Sequence, residues 1–163
     1  MHYILAVLTK TDSPEEVREL LKPHHVSAKT KHFLVAKEEI NEMINVYGFG
    51  VDDVKKSLTN VFASVLMSDL EFDEEGNAVY YWNDKAKWDY YDLGPYVVDK
   101  NGEKSDFCKV KDAVLTEDQY ISEILLPDGI WLFDKPNRNY ADVASIINNL
   151  GSELYVSLLN CHI

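Results

Sequence analysis

The hydrophobic positions along the chain change period several times, and each change marks an element. His2 to Thr9 is apolar on both parities, with Tyr3, Leu5 and Val7 alternating with Ile4, Ala6 and Leu8. Such a run predicts a central strand in a sheet covered on both faces. Ser13-Pro14-Glu15-Glu16 reads as an N-cap, a proline at the first helical position and a capping-box glutamate. Val17, Leu20 and Leu21 give this helix its buried stripe, and Pro23 ends it. His32 to Ala36 predicts a second short strand. Ile40, Met43, Ile44 and Tyr47 then recur at i, i+3, i+4 and i+7, so Glu38 to Val46 predicts a helix broken at Gly48-Phe49-Gly50. Val51, Val54, Leu58, Val61, Phe62, Val65 and Leu66 resume helical spacing to about Ser68, as core contacts.

Beyond this point a period of two dominates. Glu74-Glu75-Gly76-Asn77 predicts a turn that joins Leu70–Phe72 to Val79–Trp82 as a hairpin. Asp99-Lys100-Asn101-Gly102 predicts a turn after Tyr96–Val98, and mixed polar sequence with some alternation follows from Lys104 to Val114. Pro127-Asp128-Gly129 predicts a hairpin between Tyr120–Leu126 and Ile130–Phe133. Asp142, Val143, Ile146, Ile147 and Leu150 form the last helix, ended by Gly151. Glu153 to Ile163 closes as a strand, with Leu154, Val156 and Leu158 on one face and Tyr155, Ser157 and Leu159 on the other. The order β-α-β-α-α-β-β-β-β-β-α-β predicts one α+β domain over residues 1–163. Its sheet is mixed or antiparallel with helices packed on it, and the preferred architecture is a ferredoxin-like core with inserted hairpins.

Composition narrows the function. With 46% apolar and 27% charged residues among 163, the chain is globular and long enough to bury a core without disulfide or metal support. The net charge is −12, and residues 41–80 carry half of it. The densest acidic run is Asp69, Glu71, Asp73, Glu74 and Glu75. A nucleic-acid binder needs clustered Lys or Arg to displace counterions. With two arginines in the chain, direct nucleic-acid binding is not expected. An acidic protein is drawn instead to a basic partner surface, including one that otherwise holds nucleic acid. The plain alternative is that the acidity confers solubility. No apolar run approaches a membrane-spanning length of ~18 residues, so no membrane partner is expected. The stretch MHYILAVLTK lacks a basic leader and a cleavage site, and Cys108 and Cys161 read as thiols of a reduced, cytoplasmic protein.

The stretch richest in candidate chemistry is 78–98, AVYYWNDKAKWDYYDLGPYVV. It holds Tyr80, Tyr81, Trp82, Trp88, Tyr90, Tyr91 and Tyr96, threaded with Asp84, Lys85, Lys87, Asp89 and Asp92. These rings form either a second core, with their N–H and O–H groups bonded, or a recognition surface. Lys87 and Asp89 flank Trp88, so in a strand both point to the face opposite it. The candidate partner-binding set is Asp69, Glu71, Asp73, Glu74, Glu75, Tyr81, Trp82, Lys87, Trp88, Asp89, Tyr90 and Tyr91.

No catalytic residue, metal or cofactor is assigned. Cys161 and His162 are adjacent in a strand and point to opposite faces, and His24-His25 is a poor chelate. Gly48-Phe49-Gly50 lacks the third glycine and the strand of a phosphate loop, and no nucleophile elbow occurs. Cys108 reads as a plain buried thiol.

These residues carry a likeness. The chain resembles an uncharacterised family of phage and bacterial proteins whose hallmark is Asn-Pro-x-x-Lys-Trp-Asp-Trp-Tyr running into Gly-Gly-Arg-Trp. Asn83, Lys87, Trp88, Asp89, Tyr91 and Gly94 match it, Tyr90 replaces the second tryptophan, and Pro95 and Tyr96 stand where the second glycine and the arginine would be. An Asp-Gly-x-Trp hairpin matches at Asp128, Gly129 and Trp131. A terminal Asp-Cys-His-Ile matches at Cys161, His162 and Ile163, with Asn160 in place of the aspartate. The early strand and the helix ending in Lys22-Pro23 are also similar. The resemblance implies a shared fold and a phage or prophage context. The missing acid and arginine argue against catalysis here, or for a repurposed site.

Three functions follow as expectations. The first is a non-enzymatic, anti-CRISPR-like inhibitor that occupies a basic surface of a host protein or ribonucleoprotein effector. The second is a small enzyme or ligand binder with a pocket near Lys87, Asp89, Trp131 and His162. The third is an accessory phage protein without a dedicated site.

Overall fold

The computed structural model describes residues 1–62, 70–132 and 140–163. In chain order the first elements are β1 (His2–Thr9), α1 (Pro14–Leu21), β2 (Thr30–Val35), α2 (Lys37–Asn45) and α3 (Val51–Phe62). Then come β3 (Glu71–Phe72), β4 (Ala78–Trp82), β5 (Tyr90–Leu93), β6 (Val97–Asp99), β7 (Lys104–Ser105), β8 (Cys108–Lys109) and β9 (Ala113–Val114). The chain ends with β10 (Ile121–Leu125), β11 (Trp131–Leu132), α4 (Tyr140–Leu150) and β12 (Tyr155–His162). The class is α+β, with mixed and antiparallel sheets and helices packed on them. The chain forms two compact units, Met1–Val26 with Lys85–Ile163, and Ser27–Asp84. The expected continuation of α3 through Val65 and Leu66 to Ser68 lies outside the described residues, as do Asp69 and Phe133.

The first unit is built on β1. Its sheet runs β11-β10-β1-β12-β5, with β8 also on β12. Antiparallel β12 pairs along the whole of β1, from His2↔His162 to Thr9↔Tyr155, while β10 pairs in parallel on the other side. The two apolar parities of β1 have separate destinations. Ala6 and Leu8 join Ile124, Val143, Ile147 and Leu158, the α4 side, whereas Leu5 and Val7 join Val17, Leu21, Leu159 and Cys161, the α1 side. All four of these β1 side chains have 0% exposure. Truncating Leu5 to alanine would cost about 2–5 kcal/mol.

The strand order departs from a ferredoxin-like core. A split β-α-β unit leaves room for a strand between its two parallel strands. Here β1 and β10 pair directly, and β11 takes the edge beyond β10. Burial follows that order. Ile121, Ile124 and Leu125 of β10 are buried, whereas β11 is two half-buried residues preceded by exposed Ile130.

Ser13 caps α1 as expected, its Oγ accepting from the Glu15 N–H at 3.2 Å. Glu16 does something other than close a capping box. Its carboxylate accepts from the Lys10 and Thr11 N–H groups at 2.8 and 2.9 Å, fixing the loop that leaves β1.

The second unit has an antiparallel sheet, β2-β4-β3, with β3 and β4 joined by the predicted hairpin. Ile40 of α2, Val54 of α3 and Ala78 of β4 centre its core, with Met43, Ile44, Leu58, Leu70 and Phe72 packed around them. Three side chains expected in this core are instead exposed: Tyr47, Val51 and Val61. Tyr47 lies beyond the last turn of α2, where helical spacing no longer sets its direction. Among the described residues, no helix is long and apolar enough to cross a membrane.

Candidate functional site

Residues 83–89 are not strand, and this decides where the aromatic segment points. The backbone docks on the turn after α1: the Lys87 N–H donates to the His24 carbonyl at 2.8 Å, and the Val26 N–H to the Trp88 carbonyl at 3.0 Å. Trp88 Nε1 donates to the Leu21 carbonyl at 2.9 Å, satisfying a carbonyl at the C-terminal end of α1. Its ring meets His25 edge-on at 4.5 Å and Tyr91 at 5.0 Å. Strand alternation does not apply here, and the two charges beside Trp88 go separate ways.

Lys87 turns to the α1 side of the sheet. Its ammonium is 3.5 Å from a Glu123 carboxylate oxygen and 5.5 Å from the centroid of the Trp131 ring. The two charged side chains are 22% and 16% exposed, so the pair is largely removed from water. The Tyr3 hydroxyl donates to the Lys87 carbonyl at 2.7 Å, and the His24 ring stands edge-on to Trp131 at 5.0 Å. Burial holds His24 below the usual histidine pKa. Burial also pushes the Cys161 thiol, on the same side, up to about 12.

Asp89 turns to the end of the β5–β12 pair. Its N–H donates to the His162 carbonyl at 2.9 Å, and its Oδ1 is 2.8 Å from His162 Nδ1. The same oxygen accepts from the Tyr90 N–H at 2.8 Å, and the Asp89 carbonyl accepts from His25 Nε2 at 2.8 Å. Tyr90 stacks on the His162 ring at 4.8 Å, and His2 meets that ring edge-on at 4.9 Å. The bond from His162 holds the Asp89 carboxyl below its usual range. With Nδ1–H given to the carboxylate, the neutral imidazole keeps Nε2 as its basic nitrogen.

The two clusters lie on opposite faces of the sheet. Tyr3 and Cys161 pack on the α1 side, while Ile4 and Leu158 pack on the α4 side. His2 and His162 alternate with Tyr3 and Cys161 and so face away from them. The four residues of the pocket expectation therefore divide, Lys87 with Trp131 and Asp89 with His162.

No family model, curated protein or solved structure matches the chain. Within the first unit the geometry brings together the segments around Lys87 to Tyr91, Trp131 and Cys161-His162. Trp131 lies under Lys87, Asp89 is bonded to His162, and Tyr91 and Tyr90 are in register with Cys161 and His162.

The acidic candidates belong to the second unit. Glu71, Glu74 and Glu75 are exposed. Asp73 is a turn builder: its Oδ1 accepts from the Glu75 and Asn77 N–H groups at 3.1 and 2.8 Å, and its Oδ2 pairs with Lys31 at 2.7 Å. The bond from Lys31, then that from Asn77, holds the Asp73 carboxyl far below its usual range. Tyr81 is exposed opposite Lys31, and Trp82 is half-buried, its carbonyl 3.2 Å from both Thr30 Oγ1 and His32 Nε2. Tyr81 and Trp82 thus sit in one unit and Lys87 to Tyr91 in the other. Of the rings in the first unit, Trp88 and Tyr91 pack against the core, while Tyr90 and Tyr96 are exposed.

His2, Tyr3, His25 and Glu123 were not among the sequence candidates. A signal for His2 existed: β1 and β12 are the two longest strands among the described residues, and antiparallel pairing of their ends sets His2 opposite His162. Among the described residues, no three His, Cys, Asp or Glu side chains group as a metal site would.

Proposed function

We propose that the protein acts by binding and not by catalysis, as a phage-type inhibitor in the host cytoplasm that occupies the basic surface of a nucleic-acid-handling defence complex. One observation carries this reading. The chemistry-bearing side chains Lys87, Trp88 and Tyr91 turn inward, while Glu71, Glu74 and Glu75 project from a hairpin that Asp73 braces. A net charge of −12 draws such a chain to a cationic groove, and salt screens the attraction over about 8 Å at physiological ionic strength. The test is to titrate the protein into an RNA-guided effector and measure target-DNA binding at low and high salt. Inhibition that fades with salt and is lost in the triple variant E71K/E74K/E75K supports the proposal. Inhibition indifferent to both counts against it.

The Asp89–His162 pair favours a second function, acid–base chemistry on a small ligand through His162 Nε2. His162→Ala separates the two, since the acidic docking function survives that substitution.

A further inference from the structure

The second unit carries an apolar surface that its own core does not use. Between α2 and α3 the chain reads Val46-Tyr47-Gly48-Phe49-Gly50, and Gly48 makes the reversal at φ +72°. Val46, Tyr47, Phe49 and Val51 are 67%, 66%, 55% and 48% exposed. The Tyr47 and Phe49 rings lie 6.3 Å apart. Behind Phe49 opens a cavity of about 370 Å³, lined by Met43, Phe49, Asp53, Val54, Ser57 and Leu58. That volume is at the lower end of the range for ligand pockets and accommodates a large apolar side chain. Contiguous exposed apolar surface beside a cavity marks an interaction site.

The rim is acidic. Asp53 is part of the lining, with Oδ2 packed 3.0 Å from where a side chain at Gly50 would begin. Asp52 is exposed beside it. On α2, Glu39 and Glu42 are exposed and stand one helical turn before Met43 and Val46. Against these four carboxylates the same helices set half-buried Lys37 at the start of α2, Lys55, drawn over the Phe72 ring at 4.9 Å, and exposed Lys56. A second copy of the chain is a poor occupant, because a two-fold contact would set this rim against itself.

We propose that this groove docks a basic segment of a partner protein. One large apolar side chain enters the cavity, and Lys or Arg residues on either side of it meet Glu39, Glu42, Asp52 and Asp53. The inference rests on the basic partner proposed above and adds the apolar anchor of the contact.

The test uses the full chain and three fluorescein-labelled helical peptides of equal length: Lys/Leu amphipathic, Lys/Ser of the same charge, and Glu/Leu. Fluorescence anisotropy should show the Lys/Leu peptide binding tightest. Phe49→Ser should weaken it about tenfold, the loss of one interface anchor. Asp53→Lys should weaken it as well, while E71K/E74K/E75K leaves its dependence on Phe49 in place. Circular dichroism checks each variant's fold, and Tyr47→Ser replaces Phe49→Ser if the latter unfolds. Equal binding of the Lys/Ser peptide, unmoved by Phe49→Ser, would overturn the groove and leave the basic partner standing. Binding of neither lysine peptide would remove both. A Glu/Leu peptide that binds as well as Lys/Leu would overturn the basic occupant, as would self-association that Phe49→Ser abolishes.

Discussion

His162 and Asp89 are bonded to each other twice, once through Nδ1 and the carboxylate at 2.8 Å and once through the Asp89 N–H and the His162 carbonyl at 2.9 Å. The pair locks the start of β5 to the end of β12. It also makes this part of the first unit sensitive to acid. The Asp89 carboxyl is held below its usual range by the bond from His162, against a smaller opposing effect of desolvation. A carboxyl depressed on folding contributes stability above its unfolded value, about 4, and loses it as pH falls through the folded value. Melting temperatures of the wild type and Asp89→Asn should therefore differ most at neutral pH, and the gap should close below about pH 4. A gap constant down to pH 3 would show that the charge of Asp89 contributes nothing.

Trp88 is expected to be an anchor and not a contact residue. Trp88→Phe keeps a ring against Tyr91 but leaves the Leu21 carbonyl without its 2.9 Å donor. The expected cost is about 1–2 kcal/mol, read from urea denaturation. Binding to a partner should be unchanged under conditions where the variant is folded. A variant that kept full stability but lost binding would return Trp88 to the interface.

The thiols should be inert in the native protein. Cys161 is fully buried, with its pKa pushed up to about 12 by burial, and burial raises Cys108 as well. Both should resist Ellman's reagent at pH 8 and react together in urea. Fast labelling of Cys161 without denaturant would mean that the pairing of β12 with β5 opens readily.

Much of the first unit was legible in the residues. The double apolar parity of β1 announced a strand covered on both faces, and Gly129, at φ +83°, marked the β10–β11 hairpin. The strand order was not legible, because both strands of that hairpin, Ile121–Leu125 and the run from Ile130 to Leu132, carry apolar residues, and composition does not choose between them for the place beside β1. Lys87 and Asp89 illustrate a different limit. Alternation assigned them one face, but the His24 carbonyl, in the turn after α1, accepts from the Lys87 and Trp88 N–H groups and holds them out of strand geometry. The division of 71–91 between two units could not be read either, since no Gly or Pro run marks it. Tyr47 and Phe49 were assigned by helical spacing and by turn residues, and neither rule states that a ring faces water.

The account stands on a docking surface of carboxylates in place of a reaction centre at His162. The most direct measurement is inhibition of DNA binding by one RNA-guided effector, with wild type, E71K/E74K/E75K and His162→Ala compared side by side at two salt concentrations. The expected result is that His162→Ala inhibits like the wild type and the charge-reversed protein does not. Full inhibition by the charge-reversed protein, with loss in His162→Ala, would contradict it.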